Sequence, residues 1–304
     1  MRSDSGSIHG LIERVIDQNN FIKLSNFLDF AGDFLQCLKF DGQDAHRNVQ
    51  ATIVAGQNQD YRFFQYDQEA NFCVTRPINS KMMLSETEFF SVREQLEPRL
   101  KNIRSLKGDG EARKRLNRLI YTCQQSVGCT LDARNNPNGA RKLNGEFFER
   151  LVRLVINACG LDCATETQTL LIPGTSTEFK FQHDAVLKDA LGTWKAIGQI
   201  KTSTKDRLDK VFMDRLIYEK VSNLSLPYFL VVLNDVQRGN KKGTKYSLSG
   251  TFLPGHYKAY TLAFSPLSGV YYLDRTPAML VNQDKVLQDI KTLDELLVED
   301  MWNF

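Results

Sequence analysis

The residues of this chain that could do chemistry together stand in two short segments: Phe179-Lys-Phe-Gln-His-Asp184-Ala-Val-Leu, then Trp194-Lys-Ala-Ile-Gly-Gln199-Ile-Lys201. In the first, Asp184 is a carboxylate entering an otherwise apolar run. In the second, Gln199 and Lys201 are two residues apart, so on an extended backbone both project from one face. If the segments are neighbouring strands, a carboxylate, an amide and an ammonium converge on one spot. Hydrolysis of a phosphodiester calls for that set. Carboxylate and carbonyl oxygens hold Mg²⁺, which keeps several of its waters. The ion polarises the phosphate and makes bound water a better nucleophile, while the lysine orients that water or offsets the charge building on the phosphorus. A single Asp at a strand edge is ordinarily a turn residue, and a single Lys there ordinarily solvated. Flanked by apolar residues that should bury both strands, the three together need a shared partner.

The elements around these segments have to hold them side by side. Residues 145 to 159 read as an amphipathic helix, with Phe148, Val152, Val155, Ile156 and Cys159 on one side and Glu146, Glu149, Arg150 and Arg153 on the other. Apolar runs at 168 to 173, 179 to 187 and 194 to 200 follow as strands. Helical spacing returns at Leu208, Val211, Phe212, Leu216 and Val221, and the unbroken apolar run 227 to 233 suits a buried central strand. Strands near 257 to 264 and 269 to 274 and a closing helix near 283 to 298 complete the pattern. The order helix, three strands, helix, strand predicts an α/β fold, a mixed central sheet flanked by helices. Upstream, 8 to 40 read as helical and 50 to 79 as a small antiparallel meander, with helices over 85 to 105 and from 111 to about 125. The Gly-, Asn- and Pro-rich stretch 128 to 145 reads as a loop, so the expected division is an N-terminal helical and β-meander region, 1–127, and a catalytic domain, 128–304.

In this order the segments resemble the PD-(D/E)xK nuclease superfamily, type II restriction endonucleases most of all. His183-Asp184 stands where those proteins have Pro-Asp, and Gln199-Ile200-Lys201 where they have (Glu/Asp)-x-Lys. Gly145-Glu146-Phe147-Phe148-Glu149 is similar to the GxxxE element of their first helix. The resemblance covers residues 143 to 235. It implies a restriction-endonuclease-like fold, Mg²⁺-dependent cleavage of double-stranded DNA at a specific sequence, and catalytic roles for Asp184, Gln199, Lys201 and Glu149. Gln199 departs from the pattern, since a neutral amide removes one charge from the metal site. The ion then borrows from Glu149, from the main-chain carbonyl of Ile200 or, at a greater remove, from Glu178. Gln at this position is similar to modification-dependent members, and a degenerate fold that binds DNA without cutting it is a third reading. Cutting both strands of a duplex needs two sites, which implies a homodimer, and a restriction enzyme implies a cognate DNA methyltransferase in the same system.

Composition narrows the rest. The chain has 304 residues, 42% of them apolar, and a net charge of only +3, so any nucleic-acid surface must be local. Lys205 and Arg207 follow Lys201 directly. Arg99 to Arg118 is rich in cations, and Arg238 to Lys245, with Lys241 and Lys242, reads as a flexible basic loop. Arg134, Asn135, Asn138, Arg141 and Lys142 mix the residue types that suit base edges in the major groove, although the stretch reads equally well as a plain linker. The six cysteines include no CxxC pair, as expected for reduced thiols in a cytoplasmic protein rather than a zinc site. No stretch is apolar for long enough to span a membrane, and nothing resembles a P-loop, a dinucleotide fingerprint or a Ser/His/Asp arrangement.

Overall fold

The computed structural model describes residues 8–37, 49–53, 61–68, 71–134, 136–242, 245–264, 266–280 and 284–304. In chain order the elements are α1 (Ile8–Ile16), α2 (Leu24–Cys37), β1 (Val49–Ile53), β2 (Tyr61–Gln68), β3 (Asn71–Val74), β4 (Ile78–Asn79), α3 (Glu86–Glu94), α4 (Leu96–Lys101), α5 (Gly110–Asp132) and α6 (Pro137–Ala158). They continue as β5 (Asp162–Leu171), β6 (Glu178–Lys188), β7 (Trp194–Lys201), α7 (Leu208–Ser222), β8 (Tyr228–Val232), β9 (Val236–Lys242), β10 (Lys245–Gly250), α8 (Pro254–Phe264), β11 (Gly269–Tyr272), α9 (Lys285–Gln288), β12 (Ile290–Thr292) and α10 (Leu293–Val298). They group into two compact units. One holds Met1–Glu97, Lys114–Leu151 and Val236–Gly250, the other Pro98–Arg113, Val152–Asp235 and Thr251–Phe304.

In the first unit the expected meander is present, with β1, β3 and β4 all antiparallel to β2. Phe21, Phe27, Phe30 and Phe147 form an aromatic cluster with centroids 4.6 to 6.2 Å apart. Helix α5 is buried on all sides from Leu119 to Leu131, and its end is pinned by Arg76, whose guanidinium bonds both oxygens of Asp132 at 2.7 Å.

The second unit carries a six-stranded mixed sheet in the order β12-β11-β8-β7-β6-β5. β5, β6 and β7 alternate in direction, each antiparallel to the next, while β7, β8, β11 and β12 run parallel to one another. All five residues of β8 are buried, as its unbroken apolar run requires. Phe181, Ile197, Tyr228, Leu230, Val232 and Tyr272 of the sheet pack with Leu208, Val211, Phe212 and Tyr218 of α7 in one core. The α/β fold with a mixed sheet flanked by helices is therefore present.

Four local expectations are corrected. The stretch 128 to 145 is not one long loop: α5 runs to Asp132 and α6 begins at Pro137, where Asn136 Oδ1 caps the helix by accepting from Gly139 N at 3.1 Å. Asn followed by Pro at the first helical position is a start signal. Residues 254–264 form helix α8 rather than a strand. Tyr257, Tyr260, Thr261 and Phe264 repeat at helical spacing behind Pro254, and this outweighs the strand preference of Tyr and Thr. The closing helix is broken by β12, which pairs with β11 before Thr292 and Glu295 form a capping box and α10 starts. The basic loop after β8 is a β9–β10 hairpin. Among the described residues the cysteines at 37, 123, 129, 159 and 163 are buried and form no disulfide.

Candidate active site

The site is built where two strands part. β6 pairs with β5 through Ala164↔Val186 and Glu166↔His183, which leaves Thr165 alone opposite Asp184 and Ala185. That extra residue on β6 is a bulge, and a bulge re-aims the side chains beside it. On the other edge of β6, pairing with β7 runs through Leu187↔Ala196 and Val186↔Ile197 to Ala185↔Gly198 and stops. The side chain of Asp184 fills the gap that opens. Its Oδ2 accepts from Ile200 N at 2.8 Å and from the Lys201 ammonium. The carbonyl of Asp184 is held in turn by Arg153 Nη1 of α6 at 2.6 Å. A glycine is required at 198, because a Cβ there would lie 2.3 Å from the ring of Phe229 on β8.

Asp184 and Lys201 therefore meet as the sequence spacing predicts, with side chains 13% and 16% exposed. Gln199 faces a different partner: its Nε2 donates to the Tyr228 hydroxyl at 3.1 Å, and the residue is buried. Burial holds the Tyr228 hydroxyl well above its ordinary pKa, and the charges of Asp214 and Asp184 add to the effect. His183 does not join the site. Its ring stacks on Phe181 and meets Trp194 and Tyr218 edge-on, and burial lowers its pKa, so it is a neutral part of the core. Glu178 begins β6, six residues and roughly 20 Å of extended strand before Asp184.

The residue that the sequence reading missed is Asp214. It lies half-buried on α7, in line with the buried Val211 and Tyr218, and makes no hydrogen bond or ion pair among the described residues. Its pKa is raised. Burial is the main cause, opposed by Lys210 and Lys201 and reinforced by Asp184, so it shares the electrostatic neighbourhood of the Asp184–Lys201 pair. An acid inside the apolar stripe of a helix was the available signal.

The donors fit a hard cation. Oδ1 of Asp184 accepts no hydrogen bond among the described residues, nor does either oxygen of Asp214. The carbonyl of Ile200 shares the strand edge from which its N–H reaches Asp184. Among the described residues no three His, Cys, Asp or Glu side chains converge as ligands. Mg²⁺ asks for less, since it is commonly held by one or two carboxylates and completes its shell with water and phosphate.

No family model matches the chain, and no curated protein sequence does. Among solved structures it is similar to the type IIP restriction endonuclease Kpn2I, with a TM-score of 0.72 at 21% identity over 98% of this chain and 97% of that one. The chain has the restriction-endonuclease fold. A second structure, the restriction endonuclease PspGI in complex with substrate DNA, aligns with a TM-score of 0.42 at 12% identity over 70% of this chain and 92% of that one. On this fold Lys205, Asp206 and Arg207 form an exposed tip between β7 and α7, with Asp206 in the left-handed backbone region at φ 53°. Asn138, Arg141 and Lys142 are exposed on the opening turns of α6, Lys142 pairs with Glu146 at 3.8 Å, and Arg134 is half-buried. Asn135 lies outside the described residues, and of Lys241 and Lys242 only their place on β9 is described. Glu149 is half-buried on α6, one turn before Arg153. The 99–118 cluster is partly spent on ion pairs, because Arg113 binds Asp294 and Glu299, both at 2.9 Å, and Arg118 binds Glu88 at 3.3 Å.

Proposed function

We propose that this protein is a Mg²⁺-dependent endonuclease that cuts double-stranded DNA at a specific sequence in the manner of a type II restriction enzyme. The observation that carries the reading is the Asp184–Lys201 ion pair, with Oδ1 of Asp184 left open among the described residues, at the end of β7 on a restriction-endonuclease fold. Asp184, Asp214 and the Ile200 carbonyl would hold the ion, and the resemblance assigns Glu149 as a further acid. When bound, the ion supplies Lewis acidity toward the phosphate and a more acidic water. Lys201 exchanges its contact with Asp184 for the attacking water or a non-bridging phosphate oxygen. Its ammonium keeps its proton and offsets the charge gathering there. Gln199, fixed by Tyr228, positions rather than ligates through charge. Lys205 and Arg207 bind the DNA backbone next to the scissile phosphate, and Lys241 and Lys242 add a second basic contact. Arg134, Asn135, Asn138, Arg141 and Lys142 are the candidates for base reading. A homodimer places one site on each strand, and the N-terminal region, 1–127, supplies recognition or dimer contacts. In a restriction system a cytoplasmic DNA methyltransferase protects the host sites.

The test is digestion of unmethylated and methylated plasmid and phage DNA with Mg²⁺, for the parent and for Asp184→Ala, Lys201→Ala, Asp214→Ala and Glu149→Ala. Discrete bands that vanish in Asp184→Ala and Lys201→Ala are expected. If either of those variants cleaves as fast as the parent, the site is wrong. A gel shift without cutting by the parent would favour a DNA-binding protein on an inactive fold, and bands only from methylated DNA would favour a modification-dependent nuclease. Comparing Asp214→Ala with Glu149→Ala decides which acid supplies the second charge.

A further inference from the structure

Asp235 lies just beyond β8, is fully buried and has no cationic partner among the described residues. Its two oxygens are instead crowded with donors. Oδ1 accepts from Ser203 Oγ at 2.8 Å, Thr204 N at 2.7 Å and Thr251 Oγ1 at 2.9 Å. Oδ2 accepts from Thr204 Oγ1 at 2.6 Å and the Tyr272 hydroxyl at 2.7 Å. Burying an uncompensated carboxylate is costly, and this density of donors offsets it. It also leaves Asp235 no room for a cation, so an acid beside the catalytic strands is ruled out as a metal ligand.

The donors show what Asp235 holds. Three of the five come from Ser203 and Thr204, in the link between β7 and α7. Main-chain bonds from Leu233 N to Lys201 O (3.1 Å) and from Asn234 N to Thr202 O (3.5 Å) strap the start of the same link. Thr204 O then accepts from Arg207 N at 3.0 Å and Leu208 N at 3.1 Å, opening the first turn of α7. Between these anchors stands the exposed tip with Asp206 at φ 53°, a conformation that a non-glycine residue holds only when its surroundings impose it. Lys201 lies at one end of the link, and the helix bearing Asp214 begins at the other.

We propose that Asp235 is a positioning residue for the nuclease. It locks the link so that Lys201 and Asp214 keep their setting around Asp184, and it presents Lys205 and Arg207 to the DNA backbone in one pose. The proposal rests on the endonuclease reading, and its test separates the two. Asp235→Asn, Asp235→Ala and Thr204→Val are compared in the full chain by trypsin cleavage after Lys205 and Arg207, by duplex binding in Ca²⁺ and by single-turnover cleavage in Mg²⁺. In Asp235→Asn the amide oxygen still accepts from Thr204 N, while the hydroxyls of Thr204 and Tyr272 rotate to accept from the amide nitrogen. This variant should keep the trypsin resistance of the parent and cleave at least about tenfold faster than Asp235→Ala. Thr204→Val, which removes one donor and leaves the backbone bond, should be nicked faster at the tip. Its cleavage rate should fall about tenfold or more and its DNA affinity by less than that. A folded Thr204→Val with parental trypsin resistance and cleavage rate overturns the proposal, as does an Asp235→Asn no better than Asp235→Ala. If the parent cuts no DNA, the endonuclease reading fails and the catalytic role of Asp235 fails with it. The trypsin arm then still reports whether the carboxylate orders the link.

Discussion

Asp214 and Asp235 are two acids of the same unit, one before β8 in the chain and one just after it, and they are treated in opposite ways. Asp235 is wholly buried and takes five hydrogen bonds. Asp214 is only half-buried, takes none among the described residues, and has its pKa raised because burial disfavours its anion. A carboxylate whose oxygens are all occupied serves the fold. One kept short of donors in the field of another acid lowers the stability of the protein at neutral pH, a cost that the proposed binding of a cation and a phosphate would offset.

The sharpest way to break the comparison is at the pair itself. Asp184→Ala and Lys201→Ala should each lower single-turnover cleavage by at least about a thousandfold, against about a hundredfold for losing one positioned donor, with DNA binding retained in Ca²⁺. Asp235→Ala should cost about 3 kcal/mol of stability in urea titration, since a buried backbone N–H and several hydroxyls lose their acceptor together. Asp214→Asn should do the reverse to stability while crippling cleavage. A carboxyl with a raised folded-state pKa contributes stability below its unfolded value and loses it as pH rises through the raised one. The Asn variant should therefore melt higher than the parent at neutral pH and converge with it on acidification, as thermal scans across pH would read. A variant that melts lower at pH 7 would remove the distinction between the two acids. Gly198→Ala should cost about 1–3 kcal/mol, because the Phe229 ring must move out of the gap that sets the parting of β6 from β7. The smallest effect is expected at Tyr228→Phe, which frees the Gln199 amide. About 1 kcal/mol of stability and a several-fold drop in cleavage rate should follow, with little change in DNA affinity.

Much of this arrangement was legible before any coordinates. The period of α7, the unbroken apolar run of β8 and the two-residue spacing of Gln199 and Lys201 are local patterns, and each follows from which backbone geometry buries apolar side chains. So is the likeness of Asp184 and Gln199-Ile200-Lys201 to a nuclease motif. Helix α8 reads as a strand because Tyr and Thr suit strands, and β12 reads as helix because its three residues sit inside a longer helical pattern; the state of each depends on the neighbours it packs against.

What the sequence determined by itself is the set of strands and helices around β7 and the pairing of one acid with one lysine at its end. The tertiary structure decided the rest. It placed the bulge that aims Asp184 into the strand gap, turned Gln199 toward Tyr228, brought Asp214 into the field of Lys201, and spent Asp235 on the link instead. The reason is physical. A carboxylate has the same letter whether its oxygens are occupied or open, and its donors come from segments far apart in the chain that only the folded packing brings within reach.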